Sequence, residues 1–84
     1  MAVKVYSTPT CPYCDMAKAF LKARHIAYDE ISIENDDAKR DEMIRLSNRR
    51  TVPQIFIHQQ SIGGYDDLAA LAASGKLHDL LNPS

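Results

Sequence analysis

Cys11 and Cys14 are the only two cysteines of the chain, and they stand three positions apart in "TCPYC". A pair so spaced can hold a metal, close a structural crosslink or exchange disulfides. Tetrahedral structural zinc takes four ligands, commonly from two Cys-x-x-Cys pairs, and there is no second pair here. His25, His58 and His78 are scattered singly, without the spacing that completes such a site. A structural disulfide would close so short a loop that it would constrain the unfolded chain weakly, since stabilisation grows with loop length. Thiol–disulfide exchange is the chemistry that fits the pair.

The position of the pair supports this. Cys11 falls where a strand gives way to a helix, near unpaired backbone N–H groups and the positive end of the helix dipole, which stabilise a thiolate. Pro12 suits the first helical turn, where its missing N–H costs nothing. Cys14 follows on the same helical face, so the sulfurs can meet. Cys11 is expected to be the exposed nucleophile and Cys14 the more protected resolving thiol. A thiol of pKa ~8.5 is roughly 3% thiolate at pH 7, and a drop to ~5 raises that fraction about 30-fold. The same drop lowers intrinsic nucleophilicity roughly 40-fold at a Brønsted slope of ~0.45, so attack nearly breaks even. The larger gain lies in Cys11 leaving as a thiolate, which suits turnover rather than a lasting covalent bond.

The chain of 84 residues is 45% apolar and 25% charged, with a net charge of -1, and reads as one globular domain over residues 1–84. That balance argues against disorder and against a nucleic-acid or anionic-membrane surface as the main partner. No segment approaches the roughly 20 apolar residues of a membrane span. Met1-Ala2 leads straight into strand-like sequence with no signal-peptide pattern, so the expected compartment is the cytosol. In a reducing compartment a close cysteine pair is more often metal-binding or catalytic than a structural crosslink.

The elements that must position the thiols can be read from periodicity. "AVKVYS" alternates Val3 and Val5 against Lys4 and Tyr6, a strand, and Thr8-Pro9-Thr10 breaks it. Tyr13, Ala17, Phe20, Leu21 and Arg24 recur at spacings of three and four, which predicts a helix ending near His25. "AYDEISI" is a second strand carrying Tyr28, Ile31 and Ile33. "NDDAKRDEMIRLSNRR" reads as a helix with acids at its start and arginines at its end. "PQIFIH" is a third strand, and "QQSIGG" a turn into a brief fourth. "DDLAALAASG" is a helix with Gly75 as its C-cap, and Leu77, Leu80 and Leu81 predict one last apolar turn. The order is βαβαββα. The first two strands should be parallel and the last two antiparallel.

"TCPYC", "TVPQIFI" and "GGYDDL", in this order and spacing, resemble the dithiol glutaredoxins, most closely their short bacterial form. The resemblance covers nearly the whole chain. It implies an α/β, thioredoxin-like (glutaredoxin) fold, a four-stranded mixed sheet with helices on both faces, and glutathione-dependent reduction of protein disulfides and glutathione mixed disulfides. Glutathione would be a co-substrate rather than a permanently bound cofactor. Val52-Pro53 resembles the family's cis-proline, whose loop faces the cysteines and whose preceding backbone pairs with the cysteine part of glutathione. Thr51 flanks that loop. Gly64, Asp66 and Asp67 match the segment that receives the γ-glutamyl end, although first-turn acids also serve a helix dipole. Tyr13 would pack beside glutathione, or is simply a half-exposed aromatic. Arg49 is the family's candidate cation for the glycine carboxylate, or part of a solvated helix end.

One departure stands out. Many dithiol glutaredoxins carry a lysine three residues before the first cysteine, and this chain has Thr8. Loss of that cation predicts a Cys11 thiol that ionises at higher pH, or weaker glutathione binding, than in relatives with the lysine. Two other readings are set against the resemblance. A thioredoxin-type reductant served by a flavin reductase usually carries a WCGPC motif, and this chain has no tryptophan. A dimeric iron–sulfur carrier is associated mainly with CGFS relatives, and Pro12 and Cys14 count against it. The expected partners are glutathione, disulfide-containing or glutathionylated proteins, and glutathione reductase indirectly through glutathione disulfide. Ribonucleotide reductase and a sulfur-assimilation reductase are both compatible as protein substrates. Neither a metal, a nucleic acid nor a membrane is expected as a partner, and the chain is expected to act as a monomer.

Overall fold

The computed structural model describes residues 2–82. In β1 (Val3–Ser7), Val3 and Val5 pack on one face of the sheet and Tyr6 on the other, and all three are buried. A strand buried on both faces belongs inside a sheet. β2 (Asp29–Ser32) pairs with it in parallel and β3 (Gln54–Ile57) antiparallel, while β4 (Gln60–Gly63) lies antiparallel to β3. The strand order is β2-β1-β3-β4.

α1 (Pro12–Ala23) supplies the crossover between the parallel strands and buries Cys14, Ala17 and Leu21, residues three and four apart along one face. With Leu68 of α3 (Tyr65–Ser74) and Leu77 of α4 (Lys76–Leu81), that face covers Val3, Val5, Ile55 and Ile57. α2 (Asp37–Ser47) packs on the opposite face, where Met43 meets Tyr6, Ile33 and Phe56. Tyr6 and Phe56 meet edge to face there at 5.5 Å. Helices therefore lie on both faces of a mixed sheet, as in the thioredoxin-like fold that the motifs implied.

The differences from expectation lie at element ends. Asn48, at a φ of 60°, stops α2, so Arg49 and Arg50 lie in the following loop rather than in the helix. The hairpin turn sits at His58 and Gln59, at φ of 49° and 69°, and "QSIG" belongs wholly to β4. Two non-glycine residues in the left-handed region carry none of the Asn-Gly signal by which such turns are usually read. The expected last apolar turn is a helix of its own: Gly75, at φ 82°, ends α3 and immediately precedes α4. The element order therefore closes with two short helices. β2 is shorter than "AYDEISI", with Tyr28 and Ile33 flanking it.

Candidate active site

Cys11 is the N-cap residue of α1, in extended backbone at φ -109° and ψ 109°. Pro12 fills the first helical position without a donor, and Tyr13 and Cys14 follow. The Cys14 N–H, which has no partner inside the helix, donates to the Cys11 sulfur at 3.1 Å. The Cys11 thiol in turn donates to the Val52 carbonyl at 3.7 Å. The sulfur thus bridges the start of α1 and the loop before β3. Cys11 is partly exposed and Cys14 fully buried, and both are free thiols.

Burial pushes the Cys14 thiol up to about 12, and its hydrogen bond with the Cys11 sulfur pushes the same way. The Thr8 backbone N–H and the Lys18 charge pull it back. Lys18 lies one turn beyond Cys14. Its Nζ is 2.8 Å from Glu30 Oε2 and 3.6 Å from Asp15 Oδ1, and Ser7 Oγ donates to the same Glu30 oxygen at 2.8 Å. The Lys18 and Ser7 hydrogen bonds hold the Glu30 carboxyl below its usual range. The sequence offered little sign of this network, because a lysine and a glutamate twelve residues apart read as ordinary surface charges.

Beside the cysteines lies an open cleft of about 230 Å³. Tyr13, Arg49, Thr51, Val52, Pro53, Gly64, Asp66 and Asp67, all the residues that the resemblance marked apart from the cysteines, line it. The Val52–Pro53 peptide bond is cis. Tyr13 is 57% exposed and its ring lies 6.5 Å from that of Tyr65. Asp67 Oδ2 accepts from the Gly64 N–H at 3.0 Å, satisfying a free donor at the start of α3, and from Arg49 Nη1 at 3.2 Å. Gly63, at φ +114°, leaves room for that carboxylate: a Cβ there would collide with it. The Asp66 side chain is exposed and makes no hydrogen bond or ion pair among the described residues.

Two cleft residues went unmarked in the sequence. Tyr65 sits inside the quoted "GGYDDL" and packs edge to face on Phe20 at 6.0 Å. Gln54 follows the proline directly and is 1% exposed, a depth that the strand pattern of "PQIFIH" does not reveal. Among the described residues no group of three or more His, Cys, Asp or Glu side chains is placed to hold a metal ion. No helix among them is long and apolar enough to cross a membrane.

A thiol capping a helix, a buried second thiol one turn on and a cis-proline loop against the first define a thioredoxin-like redox site. The glutaredoxin family model matches residues 3–62. Glutaredoxin 3 of Escherichia coli is 53% identical over 79 residues, covering 94% of this chain and 95% of that protein. The solution structure of a glutaredoxin from Brucella melitensis superposes with a TM-score of 0.83 at 44% identity, over 96% of this chain and 88% of that one. A crystal structure of a buckwheat glutaredoxin–glutathione complex gives a TM-score of 0.87 at 29% identity, over 95% of this chain and 76% of that one. The chain belongs to the glutaredoxin family. It is a thiol–disulfide oxidoreductase.

Proposed function

We propose that this oxidoreductase depends on glutathione and reduces both glutathione mixed disulfides and protein disulfides, with Cys11 and Cys14 as its redox pair. The observation that carries the reading is the convergence of the eight residues that the resemblance marks on one cleft whose Val52 carbonyl contacts the Cys11 thiol. In deglutathionylation the Cys11 thiolate attacks the glutathione sulfur of a mixed disulfide. The old S–S bond breaks, the protein thiolate leaves and takes up a proton, and Cys11 becomes glutathionylated. The thiolate of a second glutathione attacks the glutathione sulfur of that adduct, releasing Cys11 and glutathione disulfide. With a protein disulfide, Cys11 forms the mixed disulfide and Cys14 displaces the substrate, leaving a Cys11–Cys14 disulfide that two glutathiones reduce. The poise of such pairs, roughly -200 to -230 mV, suits a cytosolic glutathione pool.

In the cleft, the Val52 backbone pairs with the cysteinyl part of glutathione, between Thr51 and Pro53. The N–H groups that open α3 after Gly64 take the γ-glutamyl carboxylate. Asp66, whose side chain has no partner among the described residues, takes the ammonium. Asp67 supports the same end while capping Gly64, and Arg49 turns from Asp67 toward the glycine carboxylate. Tyr13 covers the ligand. The buckwheat complex, a relative bound to glutathione, supports this reading. Comparing NADPH-coupled turnover through glutathione and glutathione reductase with turnover through thioredoxin reductase tests it. Turnover with the first system is expected, and turnover with the second alone would overturn the reading.

A further inference from the structure

Gln54 is a buried polar residue, 1% exposed, at the first position of β3. Polar side chains rarely occupy such places unless they are hydrogen-bonded. Its Nε2 donates to the Thr51 carbonyl at 2.9 Å and to Thr51 Oγ1 at 3.2 Å. A carbonyl oxygen only accepts, so the amide nitrogen must face Thr51 and the orientation of the group is fixed. Oε1 is then buried with no partner among the described residues. An orphaned acceptor opposes folding, and a side chain such as Met would fill the space without one. The carboxamide is therefore at this position for the two bonds made by its nitrogen.

Those bonds act on the loop that meets Cys11. With the Thr51 carbonyl turned inward to Gln54, the next carbonyl, of Val52, faces the Cys11 thiol at 3.7 Å. The Val52 N–H has no partner among the described residues. Pro53 has no N–H, so Val52 alone offers an adjacent backbone donor and acceptor at this point of the cleft wall. We propose that Gln54 is a positioning residue: its carboxamide holds the Thr51 peptide so that the Val52 N–H and C=O face the cleft in register with the backbone of the bound thiol substrate. The proposal rests on the glutathione reading above and adds a residue which that reading does not use.

The test measures steady-state kinetics with a glutathione mixed disulfide on wild type, Gln54→Met and Gln54→Glu. Melting temperature and the rate of Cys11 alkylation by iodoacetamide are followed in parallel, since neither requires the substrate to pair with the loop. Gln54→Met removes the donor at similar volume. Gln54→Glu sets a carboxylate against the Thr51 carbonyl. KM is expected to rise about three- to tenfold in Gln54→Met, the loss of a typical hydrogen bond, and further in Gln54→Glu. The alkylation rate and kcat should stay near wild type, and Gln54→Met should melt no lower than wild type. On the wild type alone, NMR should find the Gln54 side-chain amide still bonded to Thr51 when glutathione is bound. An active wild type whose variants match it in KM, or loss of the Gln54–Thr51 bond in the complex, would overturn the proposal by itself. A wild type with no glutathione activity would instead overturn the glutathione reading, and this proposal with it.

Discussion

The Cys14 backbone N–H donates to the Cys11 sulfur at 3.1 Å, so one cysteine caps the helix that buries the other. This bond strengthens as the Cys11 sulfur gains charge. In the proposed mechanism Cys11 is displaced as a leaving group, and this donor is in place for the thiolate that forms.

The two thiols should therefore differ sharply in reactivity. Cys14 is fully buried and its thiol is pushed up to about 12, so only about one molecule in a hundred thousand carries its thiolate at pH 7. Brief iodoacetamide treatment of the reduced protein at neutral pH should label Cys11 and leave Cys14 intact, as read by peptide mass spectrometry. Labelling of Cys14 first would contradict the burial argument.

Lys18 should matter when Cys14 attacks and not otherwise. Its charge pulls the Cys14 thiol down, so Lys18→Met raises it further. Loss of thiolate outweighs the partial return in nucleophilicity, so resolution by Cys14 should slow. Release of thionitrobenzoate from a Cys11 mixed disulfide reports that step without glutathione. Its rate should climb with pH in both proteins as the fraction of Cys14 thiolate grows. Equal rates in the two proteins would remove Lys18 from the step.

The Glu30 network carries a pH signature. Lys18 and Ser7 hold the Glu30 carboxyl low in the folded chain, so the stability it gives is present above the unfolded carboxyl value of about 4.3 and is lost as pH falls through the lower folded value. The Glu30 side chain is 44% exposed, which limits the contribution to about 1 kcal/mol or less. Urea melts of wild type and Glu30→Gln should differ at pH 7 and converge as pH falls below the folded carboxyl value. A constant gap would show that packing, not charge, sets the difference.

Gly63→Ala should be costly. It forces a Cβ into a backbone at φ +114° and against the Asp67 carboxylate that caps Gly64 and pairs with Arg49. A loss of about 1–3 kcal/mol is expected, a fall in melting temperature of roughly 5–15 °C. A variant that melts with the wild type would mean that the Asp67 carboxylate has another place to go.

Residues whose neighbours lie close in sequence were the legible ones. The cysteine pair, the alternation in β1 and the 3-4 spacing of Cys14, Ala17 and Leu21 all announce themselves locally, whereas the cleft residues, distant in sequence, were marked by the resemblance alone. Interactions closed by the fold stayed hidden. Glu30 meets Lys18 and Ser7 only once β2 lies beside β1, and Gln54 becomes a buried clamp only when its strand is covered. His58 and Gln59 turn the hairpin without glycine, so no residue type marked that turn.

The most direct test of the central claim is hydroxyethyl-disulfide reduction with glutathione by the wild type, Cys11→Ser and Cys14→Ser. The account predicts turnover by the wild type, retained turnover by Cys14→Ser and none by Cys11→Ser. Activity that survives in Cys11→Ser, or that vanishes in Cys14→Ser with the fold intact, would contradict it.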